Sequence, residues 1–328
     1  MYGIKDVAAR AGVSTATVSR VINGTKSVSD EVRKQVDAVL AELNYKPNAL
    51  AKAMRTHKSN YIGVIVSNIA DPFFAELYLI IDNIIKEYGY KTILFNSPYG
   101  QENQYFQSLY HWNIDGVIFC FNGNITEWYK LTKENKRNIP FVMIETSMNE
   151  IEYDRVLVNI EEGMYKAVKH LIKHGEHKVA FFGGTLDWPD PRIKGYVRAL
   201  KEEGLEIDLS NIFQCDFSTF GGEMAAGEFL DLKDRPSAIV TVNDSIAFGA
   251  MKFFLRRGIR IPEDISIIGF DDNSLAKMSY PELSTVRIPI KTVGENASRL
   301  LINRIENKAK KSYSVTVSTE LIIRESTK

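Results

Sequence analysis

The chain has 328 residues, of which 45% are hydrophobic and 25% charged, and its formal net charge is zero. This composition is ordinary for a globular protein, and the length is too great for one ordinary core, so two or three domains are predicted. The two cysteines, Cys120 and Cys215, form no C-x-x-C motif, which argues against a disulfide framework or a cysteine metal site. Without a signal-peptide apolar run or a membrane-length apolar stretch, the expected compartment is the cytoplasm.

The charge is unevenly distributed along the chain. Residues 1–58 contain ten Lys or Arg and five Asp or Glu, a net charge of +5, which leaves −5 for the remainder. By itself a net charge of zero argues against nucleic-acid binding. A basic N-terminal segment on an acidic remainder, however, provides the positive charge that contact with phosphates requires.

Three short helices are predicted within the first 45 residues. Apolar side chains recur at helical spacing over Ile4–Ala11, and Gly12 suits a left-handed helix exit. A second helix is predicted over Val13–Gly24, capped by Ser14 or Thr15. The third begins after another potential cap, Ser29, and carries acidic residues in its first turn.

The second helix has one apolar face and one short polar face that is almost free of acid. The polar face consists of Ser14, Thr15, Thr17, Ser19, Arg20 and Asn23. Two short helices joined by a tight turn are typical of a helix-turn-helix, whose second helix enters the DNA major groove. An ordinary Ser/Thr-rich surface helix has the same spacing, so spacing alone leaves both interpretations open.

The segment I-K-D-V-A-A-R-A-G-V-S-T-A-T-V-S-R-V-I-N-G, residues 4–24, resembles the N-terminal signature of the LacI/GalR family of bacterial transcription regulators. The resemblance implies a homodimer that binds a pseudo-palindromic double-stranded DNA operator. It puts Thr15 and Ala16 at the positions that set sequence specificity, where their small side chains would meet a thymine methyl group. Arg20 would read a guanine or a phosphate, and the remaining polar residues of this face would hold phosphates.

A short connecting segment follows at residues 47–58. It contains good helix formers but is too short to be a stable helix alone. The family resemblance implies a hinge helix whose residue Met54, in a position usually held by leucine, wedges into the minor groove. A plain linker is the alternative. The further residues expected to contact DNA are Tyr45, Asn48 and Ala51.

From Asn60 onwards, apolar runs alternate with amphipathic helices. This pattern is typical of a doubly wound α/β fold with buried parallel strands. The apolar runs are Ile62–Val66, Thr92–Phe95, Gly116–Phe121, Phe141–Ile144, Val179–Phe182, Ile239–Val242 and Ile265–Phe270. The helices include Phe73–Tyr88, Gly163–Lys173 and Arg192–Glu203.

A weak internal repeat suggests two similar lobes. The repeated unit is a strand, an Asp-Pro pair, a helix and a glycine. The pair is Asp71-Pro72 in the first copy and Asp190-Pro191 in the second. Pro at a helix start and Gly at its exit are partly generic. Equivalent loops of two lobes would face each other across a ligand cleft at the carboxyl ends of the strands.

The resemblance extends over the core, which is similar to a periplasmic-binding-protein-like body. It implies a helix-turn-helix domain at 1–46 and a core at 59–328. Lobe one would span about 60–159 plus 290–317, and lobe two about 161–287 plus 320–328. The chain would cross between the lobes near Asn159–Glu161, Arg287–Ile290 and Val317–Glu320.

An effector site is predicted at the strand ends of both lobes. Arg192 lies in D-P-R-I-K-G-Y, which matches the family pattern R-x-x-G-[FY], while Asn243 and Asp271 follow predicted strands. A guanidinium, a carboxamide and a carboxylate can pair with sugar hydroxyls. The other candidate residues are Asp71, Phe73, Glu145, Asn159, Trp188 and Phe217. Asp244 and Asp272 are interpreted as helix capping or turn residues.

Competing functions have weaker support. His170, His174 and His177 could suggest a metal, but no H-E-x-x-H motif is present, and cationic side chains suit a helix C-terminus. An enzyme is disfavoured because phosphate-loop and nucleophile-elbow motifs are absent. We therefore expect a non-enzymatic repressor of carbohydrate-utilisation genes whose effector is a sugar. No cofactor, metal or membrane partner is expected. The alternative is a repressor with a purine or a protein as its corepressor. Without C-terminal leucine heptads, a dimer is favoured over a tetramer.

Overall fold

The computed structural model describes residues 2–22, 24, 28–45, 58–98, 101, 103–120, 126–134, 138–145, 152–184, 190–307 and 311–328. The chain forms two compact units, Met1–Asn60 and Tyr61–Lys328. Several predicted positions lie outside the described residues, namely Asn23, Asn48, Ala51, Met54 and Trp188.

The N-terminal unit contains three helices, α1 (Ile4–Arg10), α2 (Thr15–Ile22) and α3 (Asp30–Glu42). Gly12 makes the turn after α1 with φ of +60°, a left-handed conformation that glycine adopts readily. Apolar side chains from all three helices, including the fully buried Val7, Val18 and Val36, form one small core. The three predicted helices are present.

The first lobe of the larger unit is built on six parallel strands in the order β2-β1-β3-β4-β5-β11. The strands are β1 (Tyr61–Val66), β2 (Lys91–Asn96), β3 (Gly116–Cys120), β4 (Phe141–Glu145), β5 (Asp154–Asn159) and β11 (Ser314–Ser318). The helices are α4 (Pro72–Glu87), α5 (Asn103–His111), α6 (Thr126–Glu134) and α11 (Ile290–Ile305). Every residue of β3 is buried, including Cys120, because helices cover both faces of the sheet.

The second lobe has six strands in the order β7-β6-β8-β9-β10-β12, with β12 antiparallel to β10. The strands are β6 (Val179–Phe182), β7 (Ile212–Phe213), β8 (Ala238–Thr241), β9 (Ser266–Asp271), β10 (Ser284–Arg287) and β12 (Glu320–Ile322). The helices are α7 (Ile160–Lys173), α8 (Pro191–Glu202), α9 (Thr219–Leu230) and α10 (Asp244–Leu255), with short 3-10 helices at Leu209–Asn211 and Ser274–Lys277. The predicted doubly wound α/β architecture is confirmed.

The chain passes between the two sheets three times, from β5 into α7, from β10 into α11 and from β11 into β12. Gly163 on α7 lies against these connections. A Cβ atom there would come within 2.6 Å of Thr319 Oγ1 and 2.7 Å of Val286 Cγ1, so only glycine lets α7 approach so closely.

The internal repeat is visible as matching helix starts. Asp71 caps α4 by accepting a hydrogen bond from Phe73 N at 3.0 Å, and Asp190 caps α8 by accepting one from Arg192 N at 2.8 Å. In both helices proline follows the cap, and in both cases the exit glycine has a positive φ. The two lobes therefore present equivalent aspartates after their equivalent strands β1 and β6.

Five strands, β5, β7, β10, β11 and β12, were not predicted from apolar runs. In β10 the reason is specific, because Ser284 and Thr285 are fully buried although they are polar. Their hydroxyl groups bind Thr327 Oγ1 at 2.9 Å and Asp244 Oδ1 at 2.6 Å, which makes burial tolerable. At β11 and β12 most residues stay partly or fully exposed, so no continuous apolar run is needed.

Candidate functional site

Helix α2 presents an exposed polar surface. Ser14 caps the helix, since its Oγ accepts a hydrogen bond from Thr17 N at 3.1 Å. Thr15, Ala16 and Arg20 are exposed, whereas Thr17 and Ser19 are partly buried. The inward positions Val18 and Val21 anchor the helix in the three-helix core and so fix which face is presented.

Tyr45 differs from the other residues expected to contact DNA. Its side chain is half-buried and packs against the apolar core of the N-terminal unit. Its ring therefore contributes to the stability of this unit, with part of its surface still accessible.

The two lobes make direct contact through α4 of lobe one. Ser245 Oγ on α10 donates a hydrogen bond to Asp71 Oδ2 at 3.1 Å, and Ser274 N donates one to Glu76 Oε1 at 3.1 Å. Burial of Asp71 is the main cause of its raised pKa. We call the region around this contact, defined by Asp71, Asp190, Arg192, Asn243, Ser245 and Asp271, the cleft.

Arg192 is anchored within lobe two. Its Nε and Nη2 donate to the two carboxylate oxygens of Asp190 at 3.0 and 2.7 Å, and its Nη1 donates to the backbone oxygen of Val242. The guanidinium also lies over the Phe270 ring, 5.4 Å from its centroid. Burial opposes the charge on both partners, but the ion pair prevails, since the pKa of Asp190 is lowered and that of Arg192 raised.

Asp271, the last residue of β9, is held in an unusual environment. It is 7% exposed, and no group of the described residues donates a hydrogen bond to its carboxylate. Its φ of +115° lies in a region that favours glycine, which indicates backbone strain. Burial, followed by the charges of Asp244 and Asp71, raises its pKa well above the ordinary value.

Asn243 is the cap of α10. Its Oδ1 accepts a hydrogen bond from Ile246 N at 2.9 Å, and its Nδ2 donates to Phe217 O at 3.3 Å. The side chain that was predicted to bind an effector thus already has one partner at each end of its amide. It still lies two residues beyond β8, next to Val242, whose carbonyl receives Arg192.

The interpretation of Asp244 as a helix cap is wrong, because Asn243 has that role. Asp244 is fully buried and accepts hydrogen bonds from Thr285 Oγ1 at 2.6 Å and Asn273 N at 2.9 Å. Its burial raises its pKa to about 8. A Cβ at Gly269 would lie 2.3 Å from Asp244 Oδ1, so the absence of a side chain at that position makes room for this carboxyl group.

Asp272 also does more than form a turn. Its φ of +55° fits turn geometry, but its carboxylate pairs with Arg287 Nε at 2.6 Å and Arg324 Nη2 at 2.5 Å. These pairs tie the end of β9 to β10 and to the segment after β12.

The other candidate effector residues have structural partners and do not all converge on Arg192. Glu145 binds Arg155 at 3.0 Å and Tyr153 at 2.9 Å. Asn159 caps α7 through Glu162 N at 3.3 Å, and Phe73 is 5% exposed within the apolar core. Phe217 keeps 41% of its surface exposed, beside the Asn243 amide.

Sequence reasoning missed Asp190, Ser245 and Glu76 as parts of this region. Asp190 was noted only as helix punctuation, although an aspartate two residues before an arginine can both cap the helix and bind the guanidinium. Ser245 and Glu76 had no sequence signal, because their partners lie 174 and 198 residues away.

Metal sites and membrane-spanning helices are absent from the described residues. No group of three or more His, Cys, Asp or Glu side chains there could hold a metal ion, and no helix there is long and apolar enough to cross a membrane. His170 and His174 stack with ring centroids 4.2 Å apart, and burial is the main cause of the lowered pKa of His170.

Two family models match the chain. Residues 3–48 match the bacterial regulatory proteins of the lacI family, and residues 168–327 match a periplasmic binding protein-like domain. The first match contains helices α1 to α3, and the second contains most of lobe two together with α11 and β11.

Relatives over the full length of the chain are transcription regulators. The chain is 35% identical over 332 residues to the HTH-type transcriptional repressor PurR of Vibrio atlanticus (strain LGP32), covering 100% of this chain and 99% of the relative. A lac repressor dimer bound to operator and the anti-inducer ONPF has a TM-score of 0.84 at 25% identity, covering 99% of both chains. The complex of the transcriptional regulator CelR with cellobiose has a TM-score of 0.73 at 27% identity, covering 99% of this chain and 100% of that one. This chain belongs to the LacI family of bacterial regulatory proteins and is a ligand-responsive transcriptional repressor rather than an enzyme.

Proposed function

We propose that this repressor acts in the cytoplasm on carbohydrate-utilisation genes and binds a sugar or sugar derivative in the cleft. In this proposal residues 1–46 bind DNA, residues 47–58 form the hinge and residues 59–328 form the effector-binding core. Sugar binding shifts the population between two arrangements of the lobes and thereby changes how the hinge and the operator interact.

The observation that carries the effector proposal is Asp271. The carboxyl group of Asp271 is 7% exposed and accepts no hydrogen bond from the described residues, so its oxygens are available to the hydroxyl groups of a ligand. The strained φ of +115° at the same residue is typical of a functional position. The cellobiose complex of a structural relative supports a sugar as the class of ligand.

A thermal-shift screen with sugars, sugar phosphates and purines tests this proposal, because a ligand of the folded state raises the melting temperature. We expect a sugar to stabilise the wild type but not Asp271→Ala. Asp231→Ala is a matched control, since Asp231 is an exposed carboxylate at the end of α9, in the same lobe. Stabilisation by purines alone, or by no compound, would overturn the sugar proposal, and a protein corepressor would then be tested.

The DNA part of the proposal assigns base or phosphate contact to Arg20. The exposed position of Arg20 on α2, the helix that the family fold presents to DNA, supports this role. In an operator-binding titration, Arg20→Ala should bind about 5- to 150-fold more weakly, as expected for a lost guanidinium contact of about 1–3 kcal/mol. Lys34→Ala on α3 removes the same charge from an exposed position and should have a smaller effect. Equal binding by Arg20→Ala and wild type would contradict the assignment.

We further propose a homodimer that pairs through the core, matching the two halves of a pseudo-palindromic operator. Large apolar side chains that are exposed in the single chain support it, with Met278 at 77% and Tyr280 at 86% exposed, together with Phe220 at 68% on α9. Sedimentation velocity should show a dimer at micromolar concentration. A monomer at that concentration would contradict this part of the proposal.

A further inference from the structure

Arg192 is the one cationic residue among the six that define the cleft, and it is already neutralised by Asp190. Two parallel hydrogen bonds of 3.0 and 2.7 Å join the guanidinium to both oxygens of the Asp190 carboxylate. This two-point geometry is the strongest form of such a pair. A third N–H is directed at the backbone oxygen of Val242, so two of the five N–H groups of an arginine are left for a ligand.

The other titratable side chains among the six residues that define the cleft are carboxyl groups. Asp271 interacts electrostatically with three other carboxyl groups, those of Asp244, Asp71 and Asp190, and with the single guanidinium of Arg192. Since Asp190 cancels the charge of Arg192, none of the six residues that define the cleft offers an unpaired positive charge to an anionic ligand. A dianionic phosphate would lose its hydration there and gain no net attraction.

We propose that Asp190, by holding Arg192 in a two-point ion pair, makes the cleft selective for uncharged effectors over their phosphorylated forms. The two remaining N–H groups of Arg192 donate to sugar hydroxyls, and the carboxyl group of Asp271 accepts from them. Asp190 acts through Arg192 and is a specificity-determining residue. This inference rests on the proposed sugar effector and adds the charge class of that effector.

Isothermal titration calorimetry on the full chain with matched pairs tests the inference. The pairs are ribose and ribose 5-phosphate, glucose and glucose 6-phosphate, and cellobiose and cellobiose 6-phosphate. In any pair that binds, we expect the unphosphorylated sugar to bind at least about tenfold more tightly. Equal or tighter binding of the phosphate ester would overturn the role of Asp190 while leaving a sugar-binding cleft in place. If none of the six compounds binds, the sugar proposal and this inference both fail.

A substitution then assigns the selectivity to Asp190. Asp190→Asn keeps an oxygen that can cap α8 but frees the charge of Arg192, so the preference for the unphosphorylated sugar should shrink about tenfold. Asp231→Asn removes the same charge from an exposed position of the lobe and should leave the preference unchanged. An unchanged preference in Asp190→Asn would overturn the inference. Thermal melting checks that Asp190→Asn is folded. If this variant does not fold, the binding of the matched sugar pairs to the wild type tests the inference by itself.

Discussion

Gly195 on α8 provides a sharp test of how the second lobe is packed. It belongs to the R-x-x-G-[FY] pattern and lies one turn after Arg192. A Cβ at this position would be 2.2 Å from Glu161 O and 2.9 Å from Tyr165 N, both backbone atoms of α7. Carbon and oxygen atoms in close contact are normally about 3.3 Å apart, so Gly195→Ala forces the two helices apart by about 1 Å.

The expected cost of this substitution follows from two opposing effects. Overpacking costs about 1–3 kcal/mol, here at the upper end because backbone atoms cannot rotate away. Replacing glycine by alanine in a helix returns about 1 kcal/mol. The net prediction is a decrease of about 2 kcal/mol in the free energy of unfolding, measured by urea titration followed by circular dichroism.

Gly227→Ala on α9 is the matched control for Gly195→Ala. A Cβ at Gly227 would be 3.5 Å from the ring of Phe253, an ordinary contact, so the helix preference should dominate and the variant should gain up to about 1 kcal/mol. If both variants changed stability equally, or if Gly195→Ala were as stable as the wild type, the close approach of α7 and α8 would be refuted.

Three further predictions concern charged groups. Because the pKa of Asp244 is about 8 in the folded chain and about 4 when unfolded, folding favours its protonated form, and the associated stability is lost as the pH rises from 4 to 8. Urea titrations at pH 5 and pH 8 compare the free energy of unfolding of the wild type with that of Asp244→Asn. Between these two pH values the wild type should lose up to about 1.4 kcal/mol per pH unit more than the variant. Equal losses of unfolding free energy in the two proteins would contradict this prediction. Arg304→Gln leaves the buried Asp154 carboxylate without its ion pair and should cost about 3–5 kcal/mol in the same assay. Arg10→Gln breaks only an exposed pair with Glu42, so its melting temperature should match the wild type, and a clear decrease would show that this pair matters.

The sequence predicted those parts of the fold that depend on local patterns. Helical spacing, the cap at Ser29 and the turn at Gly12 predicted the three N-terminal helices, and apolar runs predicted seven parallel strands. Strands that bury polar residues, such as β10 with Ser284 and Thr285, were not predicted. Their burial depends on hydrogen bonds to Asp244 and Thr327, which lie 41 and 43 residues away.

The candidate site shows the same division between local and non-local information. The sequence singled out Arg192 through its match to the family pattern R-x-x-G-[FY], and Asn243 and Asp271 through their positions after predicted strands. Only the tertiary structure decided their partners. It pairs Arg192 with Asp190 and Val242, commits Asn243 to a helix cap, and leaves the Asp271 carboxylate without a donor from the described residues. The physical reason is that backbone sterics and helix or strand periods act over a few residues, whereas burial and ion pairing are set by elements that meet only when the sheets assemble.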